Sequence, residues 1–208
     1  MVHIKSKKAR RGMVGIEAAI VLIAFVIVAA ALAFVVLNMG FFTTQKSKEA
    51  IGSGLQEASS AIEVDGSVIG KTNGSALVAI AIPLKSSTGK NPIDLSKTVI
   101  KIRTPTKAII LEVNKIQRVK DPTSNDPFTV LGTNAAAFIE YEGDDDDLLE
   151  INEKWILAIN LTNANVLGAG LAPYTTVMVE IKPPTGAPLT VERMVPPNLS
   201  DTIIILES

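Results

Sequence analysis

Hydrophobic and polar positions divide this chain into two parts with different periods. Residues 18–37 read AAIVLIAFVIVAAALAFVVL, a run without a charged or polar side chain. At about 1.5 Å per residue this run makes roughly 30 Å of helix, which matches the hydrocarbon thickness of a bilayer. A helix that is apolar on every side is buried in lipid or in protein. The pattern therefore predicts a helix that is surrounded by lipid or by protein, and its function depends on which of these surrounds it.

The helical pattern continues beyond the apolar run. Its apolar positions recur at spacings of three and four, which predicts a one-sided helix face made of Ile51, Leu55, Ala58 and Ile62. The pair Asp65-Gly66 is a plausible stop signal. We therefore predict one helix over about residues 14–64, with a domain boundary after residue 64.

From residue 65 the period changes to short runs rich in Val and Ile, separated by Pro, Gly and Asn. These runs are typical of strands in an all-β sandwich. The expected fold class is α+β, with a long N-terminal hydrophobic helix and an immunoglobulin-like sandwich head at residues 65–208. Pro83 is expected to end a strand, and residues 121–127 are expected to form an exposed loop. The predicted strands are 76–82, 98–103, 107–113, 116–119, 136–141, 154–161, 174–181 and 202–206.

The distribution of charge predicts how the chain is oriented across a membrane. Residues 1–12 carry five basic residues and no acid, and basic residues beside a membrane segment stay in the cytoplasm. The remaining part is then expected outside the cell. Of the chain's 20 basic residues, 15 remain beyond this leader against 21 acidic ones. An acidic exterior argues against a nucleic-acid partner.

The residue types present exclude several kinds of chemistry. There is no Cys, and the only His is His3 in the leader. This excludes Cys nucleophiles, His-based triads and conventional zinc sites, so neither an enzyme nor a cofactor is expected. The acidic run Asp144, Asp145, Asp146 and Asp147 is a weak candidate for Ca²⁺, which binds carboxylate oxygens. Adjacent aspartates cannot all turn toward one ion, so a solvated acidic loop is the favoured interpretation and no metal is predicted.

The leader carries a resemblance to a known family. Residues 7–12 (KKARRG) and 13–17 (MVGIE), followed by the apolar run, resemble the class III signal sequence of archaeal flagellins (archaellins) and type IV pilins. Residues 45–49 (QKSKE) and 61–70 (AIEVDGSVIG) are similar to archaellins of hyperthermophilic archaea. The resemblance implies that a prepilin-type signal peptidase cuts between Gly12 and Met13. Residues 1–12 would then be removed, and residues 13–64 would be retained as the filament core.

The resemblance also implies a function. An archaellin is a structural subunit that polymerises in many copies into the archaellum, an extracellular filament used for swimming. Its precursor would wait in the cytoplasmic membrane with the N-terminus inside, until the archaellum assembly machinery lifts it out. Two alternatives stay open: a type IV-like adhesion pilin, and a single-span membrane-anchored surface binding domain.

Particular residues of the helix are candidates for packing between subunits. Small residues four positions apart permit close approach of helices, and aromatic side chains supply bulk. Glu17 has two interpretations: an acid favoured by the dipole at a helix N-terminus, or, as type IV pilins imply, a partner for the terminal amine of a neighbouring subunit that sets the register. The residues expected to pack or to set register are Gly15, Glu17, Ala19, Phe25, Ala29, Ala33 and Phe34.

Three sequons permit N-glycosylation on an external face, at Asn73, Asn160 and Asn198. Such triplets also occur by chance. The resemblance strengthens the prediction, since archaellins are often N-glycosylated. Asn73 and Asn198 lie in turn-like sequence, which makes them better acceptors than Asn160 at the end of a predicted strand.

Overall fold

In a computed structural model of the protein, the described residues are 10–87, 91–120, 122 and 124–207, with side chains from Gly15 onward. Residues 1–9, which form most of the predicted signal peptide, lie outside the described residues. A helix, α1, spans Arg10–Ser59 and is followed by a β-rich part. The chain divides between Ser53 and Gly54 into two compact units.

The second unit contains two principal β-sheets. The strands are β1 (Ile62–Val64), β2 (Val68–Thr72), β3 (Leu77–Ser86), β4 (Ile93–Asp94), β5 (Val99–Arg103), β6 (Ala108–Leu111), β7 (Ile116–Val119), β8 (Ala136–Glu142), β9 (Leu148–Leu149), β10 (Lys154–Asn160), β11 (Thr176–Lys182), β12 (Leu189–Met194) and β13 (Ile203–Leu206). The larger sheet has the order β13-β2-β3-β10-β8-β7, with β1 also paired to β3. The smaller sheet has the order β12-β11-β5-β6, and β4 pairs with β9. Strands β7 and β8 are parallel.

The two sheets share one hydrophobic core. Alternate side chains of the larger sheet point into it, including Ile80, Ile82 and Phe138, and each is at most 1% exposed. The smaller sheet contributes alternate residues such as Ile100 and Ile102, both fully buried. This alternation is the pattern expected of strands with one face on a core. The predicted helix followed by a β-rich head is confirmed, while the immunoglobulin-like detail stays a prediction.

The opposite face of the larger sheet is covered by a short helix that the sequence did not predict. This helix, α2, spans Pro127–Leu131, and the Asp126 carboxylate caps it by accepting from the Phe128 N–H at 3.0 Å. Small side chains on the sheet leave room for Phe128 and Leu131. These small residues are Ala79, Ala81, Ala137 and Ala158. The middle strands of the sheet are therefore buried on both faces.

The predicted end of the long helix is wrong. Helix α1 ends at Ser59, and Ile62–Val64 form β1, which pairs antiparallel with β3. The Ser60 hydroxyl donates to the Gln56 carbonyl at 2.8 Å, which satisfies one of the last helical acceptors. Ile62 is only 4% exposed in the strand. Burial of this β-branched side chain in a sheet outweighs the weak helical period.

The prediction that Pro83 ends a strand is also wrong, because β3 continues through it to Ser86. In an antiparallel ladder the N–H and C=O of one residue point to the same neighbour. The Pro83 carbonyl accepts from the Asp65 N–H at 3.0 Å, just beyond the end of β1. The side of Pro83 that lacks an N–H therefore points toward the end of β1, where strand pairing stops. The hydrogen bonds between β3 and β10, on the other side of β3, lose no donor.

Candidate functional site

The apolar part of α1 is exposed on every side of the single chain. Fourteen large apolar side chains between Ile16 and Leu37 are exposed, by 54% at Val35 to 76% at Phe25. Phe25 and Phe34 lie nine residues apart, which places them on opposite sides of a helix with 3.6 residues per turn. Residues 15–59 hold the one helix among the described residues that is long and apolar enough to cross a membrane, a property shared by signal sequences.

The small residues predicted to permit helix packing lie on this surface. Gly15 and Ala19 are four residues apart, as are Ala29 and Ala33, and both pairs lie on the same face of α1, because the 18 residues from Gly15 to Ala33 make five turns. A Cβ built on Gly15 meets no atom within 4 Å. Space for a neighbouring helix is therefore available at Gly15 in the single chain.

Glu17 is the only charged residue between Gly15 and Gln45. It is exposed beside Ala18, Val21, Leu22 and Phe25. Among the residues that the structure describes, no cation pairs with its carboxylate. Met13, at the predicted cleavage site, lies four residues earlier in the same helix. An amino group at that position would lie on the face that carries Glu17.

The polar end of α1 begins with two threonines. The hydroxyl groups of Thr43 and Thr44 donate to the carbonyls of Met39 and Gly40, each at 2.8 Å. Such bonds satisfy the hydroxyl within the helix and allow threonine in apolar surroundings. Ile51 and Leu55, predicted to form a one-sided apolar face, are 63% and 67% exposed. That predicted face cannot include Ile62, which belongs to β1.

The three sequons share one local geometry in the head. The Asn73 side-chain oxygen accepts from the Ser75 N–H at 3.1 Å, and the Asn160 and Asn198 oxygens accept in the same way, at 3.1 Å, from the N–H two residues on. These are Asx turns, and the side-chain nitrogens of the three asparagines donate to no group among the described residues. Asn73 and Asn198 are exposed, whereas Asn160 is half-buried.

The four aspartates of the acidic run separate in the structure. Asp147 forms ion pairs with Arg118 at 3.2 Å and Lys120 at 3.5 Å. Asp146 accepts from the Leu148 N–H at 2.6 Å, and Asp145 adopts a positive φ of 68°. The four carboxylates therefore have different surroundings in the structure.

Asp144 instead approaches two buried glutamates that the sequence reading missed. Carboxylate oxygens of Glu140, Asp144 and Glu153 lie within 4.8 Å of one another, and the two glutamates are 4% and 8% exposed. One Glu140 oxygen accepts from the Asp145 N–H at 3.1 Å, and the other has no partner among the described residues. A hard cation such as Ca²⁺ takes oxygens of this kind. The signal was Glu140 itself, an acid at a core-facing position of the AAFIEY strand.

Burial raises the pKa of Glu140, and the neighbouring Glu153 carboxylate raises it further. The Asp145 N–H and the Lys120 ammonium act in the opposite direction. A Cβ at Gly143 would lie 1.8 Å from a Glu140 oxygen, so a larger residue there would displace this carboxylate. The cluster is thus a crowded acidic site inside the head.

Comparison with known proteins decides the family. The model for archaeal-type flagellin matches residues 12–193. This chain belongs to the archaeal flagellin family. Probable flagellin 1 of Aeropyrum pernix is 46% identical over 92% of the chain and 95% of that relative. Probable flagellin 2 of Archaeoglobus fulgidus is 36% identical over 98% of the chain and 100% of its own length.

Solved structures agree with this assignment. The archaeal flagellum of Methanospirillum hungatei strain JF1 matches 92% of the chain and 99% of that subunit, with a TM-score of 0.65 and 28% identity. The crystal structure of archaeal flagellin FlaB1 from Methanocaldococcus jannaschii covers 71% of the chain and 96% of its own, with a TM-score of 0.60 and 16% identity, and shows the shared fold. The chain is thus a structural subunit of an archaeal flagellar filament, a polymer of many copies at the cell surface.

Proposed function

We propose that this archaeal flagellin enters its filament by burying residues 16–37 of α1 against the same helix of neighbouring subunits. The exposure of fourteen large apolar side chains all around α1 is the observation that carries the proposal. Burying one such side chain is worth about 1.5–3 kcal/mol relative to water. Transfer of the helix from water into lipid, or into a bundle of like helices, is therefore strongly favourable.

The membrane is the proposed waiting place before assembly. Lipid tails are as apolar as leucine, so transfer from lipid into a helix bundle gains little from the hydrophobic effect. Close packing must then stabilise the filament, and the paired small residues supply it. The pairs are Gly15 with Ala19 and Ala29 with Ala33. The archaellum assembly machinery would transfer subunits from lipid to the growing filament.

Processing is the step that releases the helix for assembly. We infer a cut between Gly12 and Met13 by a prepilin-type signal peptidase on the cytoplasmic side. The basic residues before Gly12 support it, because basic residues beside a membrane segment stay in the cytoplasm. The new amino group at Met13 would then meet Glu17 of a neighbouring subunit and set the register.

Sequencing the N-terminus of the native filament protein tests this proposal directly. The expected sequence begins Met-Val-Gly-Ile-Glu. A chain that begins beyond Leu37 would show that the apolar helix is removed, and would exclude it as the filament core. Electron microscopy of cells that lack the gene should show loss of filaments, and loss of swimming with retained attachment would separate a flagellin from an adhesion pilin.

A Glu17→Gln variant tests the register role. The substitution keeps the size of the side chain and one acceptor oxygen, and removes its charge. We expect membrane insertion to continue and filament assembly to fall sharply. A Glu17→Asp variant is the matched control, because it retains the carboxylate. Normal filaments from Glu17→Gln would leave Glu17 only its interaction with the helix dipole.

We also propose that Asn73 and Asn198 carry N-glycans in the external part of the filament. Their exposure and the Asx turns in their sequons support this proposal. Asn160 is the weaker acceptor, since it is half-buried at the end of β10. Mass spectrometry of peptides from the native filament, compared with Asn73→Gln and Asn198→Gln variants, measures occupancy at each position.

A further inference from the structure

An open cleft at one end of the head is lined mainly by side-chain amides. Three segments meet there: the turn before β7, the segment before β8, and the turn after β10. The cleft has a volume of about 460 Å³, within the usual range of small-molecule sites. Its amide side chains belong to Asn114, Gln117, Asn134, Asn163 and Asn165, which are five of the eleven amides in residues 61–208.

Two of these amides are held in place by the head itself. The Asn134 amide nitrogen donates to the Leu131 carbonyl at 3.0 Å and also to the Gln117 side-chain oxygen. The Asn163 amide nitrogen donates to the Thr133 carbonyl at 2.8 Å, and its oxygen accepts from the Asn165 N–H at 2.9 Å. The orientation of these amides is therefore fixed before a ligand arrives.

Other polar groups at the cleft remain available. Within the described part of the chain, the side chains of Asn114 and Asn165 make no hydrogen bond, and neither does the Gln117 amide nitrogen. Lys115 is the one charged residue among the lining residues, and none of them is acidic. An amide offers both a donor pair and an acceptor, which matches neighbouring hydroxyl groups that both donate and accept.

We propose that this amide cleft binds a neutral, hydroxyl-rich saccharide. The absence of lining carboxylates disfavours a cation as ligand, and a single lysine provides little selection for an anion. The sequon residue Asn160 adjoins the cleft, because its N–H donates to the Ala135 carbonyl at 2.9 Å and its carbonyl accepts from the Asn163 N–H at 3.3 Å. The saccharide can therefore be a glycan on Asn160 of the same chain or a separate sugar. All the lining residues belong to one chain, so this proposal does not rest on the proposed assembly of the filament.

The test uses the unglycosylated full chain, produced in bacteria and kept in a detergent without a sugar headgroup. Maltotriose and diacetylchitobiose are the neutral probes, and sialyllactose is the anionic comparison. Side-chain amide signals in nitrogen–proton correlation spectra report binding at each asparagine. We expect saturable shifts at Asn114, Gln117 and Asn165 with a neutral probe. No saturable shift with either neutral probe would overturn the proposal.

A paired variant separates the cleft from general polar surface. Asn114→Ala combined with Asn165→Ala removes two free amides and should weaken binding about tenfold, as loss of two hydrogen bonds predicts. Asn125→Ala, at an exposed amide before α2, is the matched control and should bind like the parent chain. Equal affinity in the double variant and the parent would exclude the cleft. An unchanged backbone spectrum confirms that the double variant is folded.

The source of the saccharide is distinguished with protein from the native host. If a glycan on Asn160 fills the cleft, native chains should not bind the free probe, while an Asn160→Gln chain from the same host should bind it. If the sugar is separate, both chains should bind the probe equally. Failure of both chains and of the bacterial chain to bind would overturn the proposal.

Discussion

The apolar helix and the β-rich head use the same residue types with opposite outcomes. Ile100 and Phe138 in the head are fully buried, whereas Ile27 and Phe25 in α1 are 62% and 76% exposed. In β5 apolar side chains alternate with charged ones, so the strand has one face on the core, whereas the middle strands of the larger sheet are buried on both faces. The run in α1 has no polar face at all. The head therefore builds its hydrophobic core within one chain, whereas the apolar run of α1 can be buried only by other molecules.

This difference separates folding from assembly. A change in the head core should alter the free energy of unfolding of one chain, because its contacts are all within that chain. A change in the apolar helix should leave the head stable and alter insertion or polymerisation. Matched substitutions in the two regions test whether folding and assembly are separate in this way.

The largest expected effect is loss of filaments from Ile27→Arg. Ile27 lies near the middle of the apolar run, and arginine at the centre of a membrane helix costs about 2.5–3.5 kcal/mol on insertion scales. In a helix bundle the same charge would be buried without a partner, which is at least as unfavourable. We expect no filaments by electron microscopy and less protein in the membrane fraction. Ile27→Val, which keeps the apolar surface, should assemble normally, and filaments of ordinary length from Ile27→Arg would contradict this view of the helix.

A second substitution addresses the head core. Phe138 lies in β8 with 0% exposure, and truncation of such a side chain costs about 3–5 kcal/mol. Phe138→Ala should therefore lower the urea midpoint of head unfolding, measured by fluorescence of Trp155, the chain's only tryptophan. Phe34→Ala in α1 is the matched control, since Phe34 is 66% exposed. Equal loss of stability in both variants would show that the two regions do not differ as proposed.

Much of this architecture could be predicted from the sequence, because its signals are local. The uncharged run of residues 18–37 indicates its helix directly, and all eight predicted strands occur within a few residues of their predicted bounds. Strand β12 was missed, although Leu189 and Val191 alternate with polar residues, because the run is short and lies between prolines. The end of α1 and the continuation of β3 through Pro83 depend on pairing between distant segments, which periodicity does not report.

The candidate sites show the same limit. The exposed surface of α1 follows from composition alone. The approach of Glu140 to Glu153 does not, because it requires the register that pairs Trp155 with Glu140 across β8 and β10. The amide cleft likewise gathers residues from three separate segments. Single-sequence reasoning could identify Glu140 as an anomaly but not its neighbours.

A glycine in the head gives the third prediction. Gly186 has a φ of +98°, and a Cβ there would lie 2.0 Å from the Ser60 backbone oxygen. This close approach holds Ser60, whose carbonyl accepts from the Ala187 N–H at 3.3 Å. Gly186→Ala should cost about 1–3 kcal/mol in head stability, from both backbone strain and the clash.

Gly168→Ala is the matched control for this prediction. Gly168 also has a positive φ, of +75°, but a Cβ there meets no atom within 4 Å. It should suffer only the strain of the left-handed backbone, about 1–2 kcal/mol. If urea unfolding shows equal losses for the two variants, contact with Ser60 contributes nothing to the head.

The smallest expected effect is a pH-dependent gain in stability from Glu140→Gln. The pKa of Glu140 is raised above its ordinary value of 4.5 by burial and by Glu153. Below pH 4.5 the carboxyl is neutral in both the folded and unfolded chains, so its burial costs little. As the pH rises through the folded-state pKa, the carboxylate must ionise inside the head, and this part of the stability is lost. Glutamine keeps an acceptor for the Asp145 N–H and never ionises, so the variant should be more stable by about 1 kcal/mol at neutral pH.

The difference between Glu140→Gln and the parent chain should therefore be near zero below pH 4.5 and grow toward neutral pH. Urea unfolding in the presence of a chelator measures this difference without a contribution from divalent cations. Glu142→Gln is the matched control, because Glu142 is exposed and pairs with Lys154 at 2.9 Å, so little change is expected. If calcium without the chelator reverses the sign at Glu140, the buried carboxylates are held by a cation instead of a proton. A constant difference at every pH would show that the substitution acts through packing, and that the acidic cluster adds no electrostatic cost to the head.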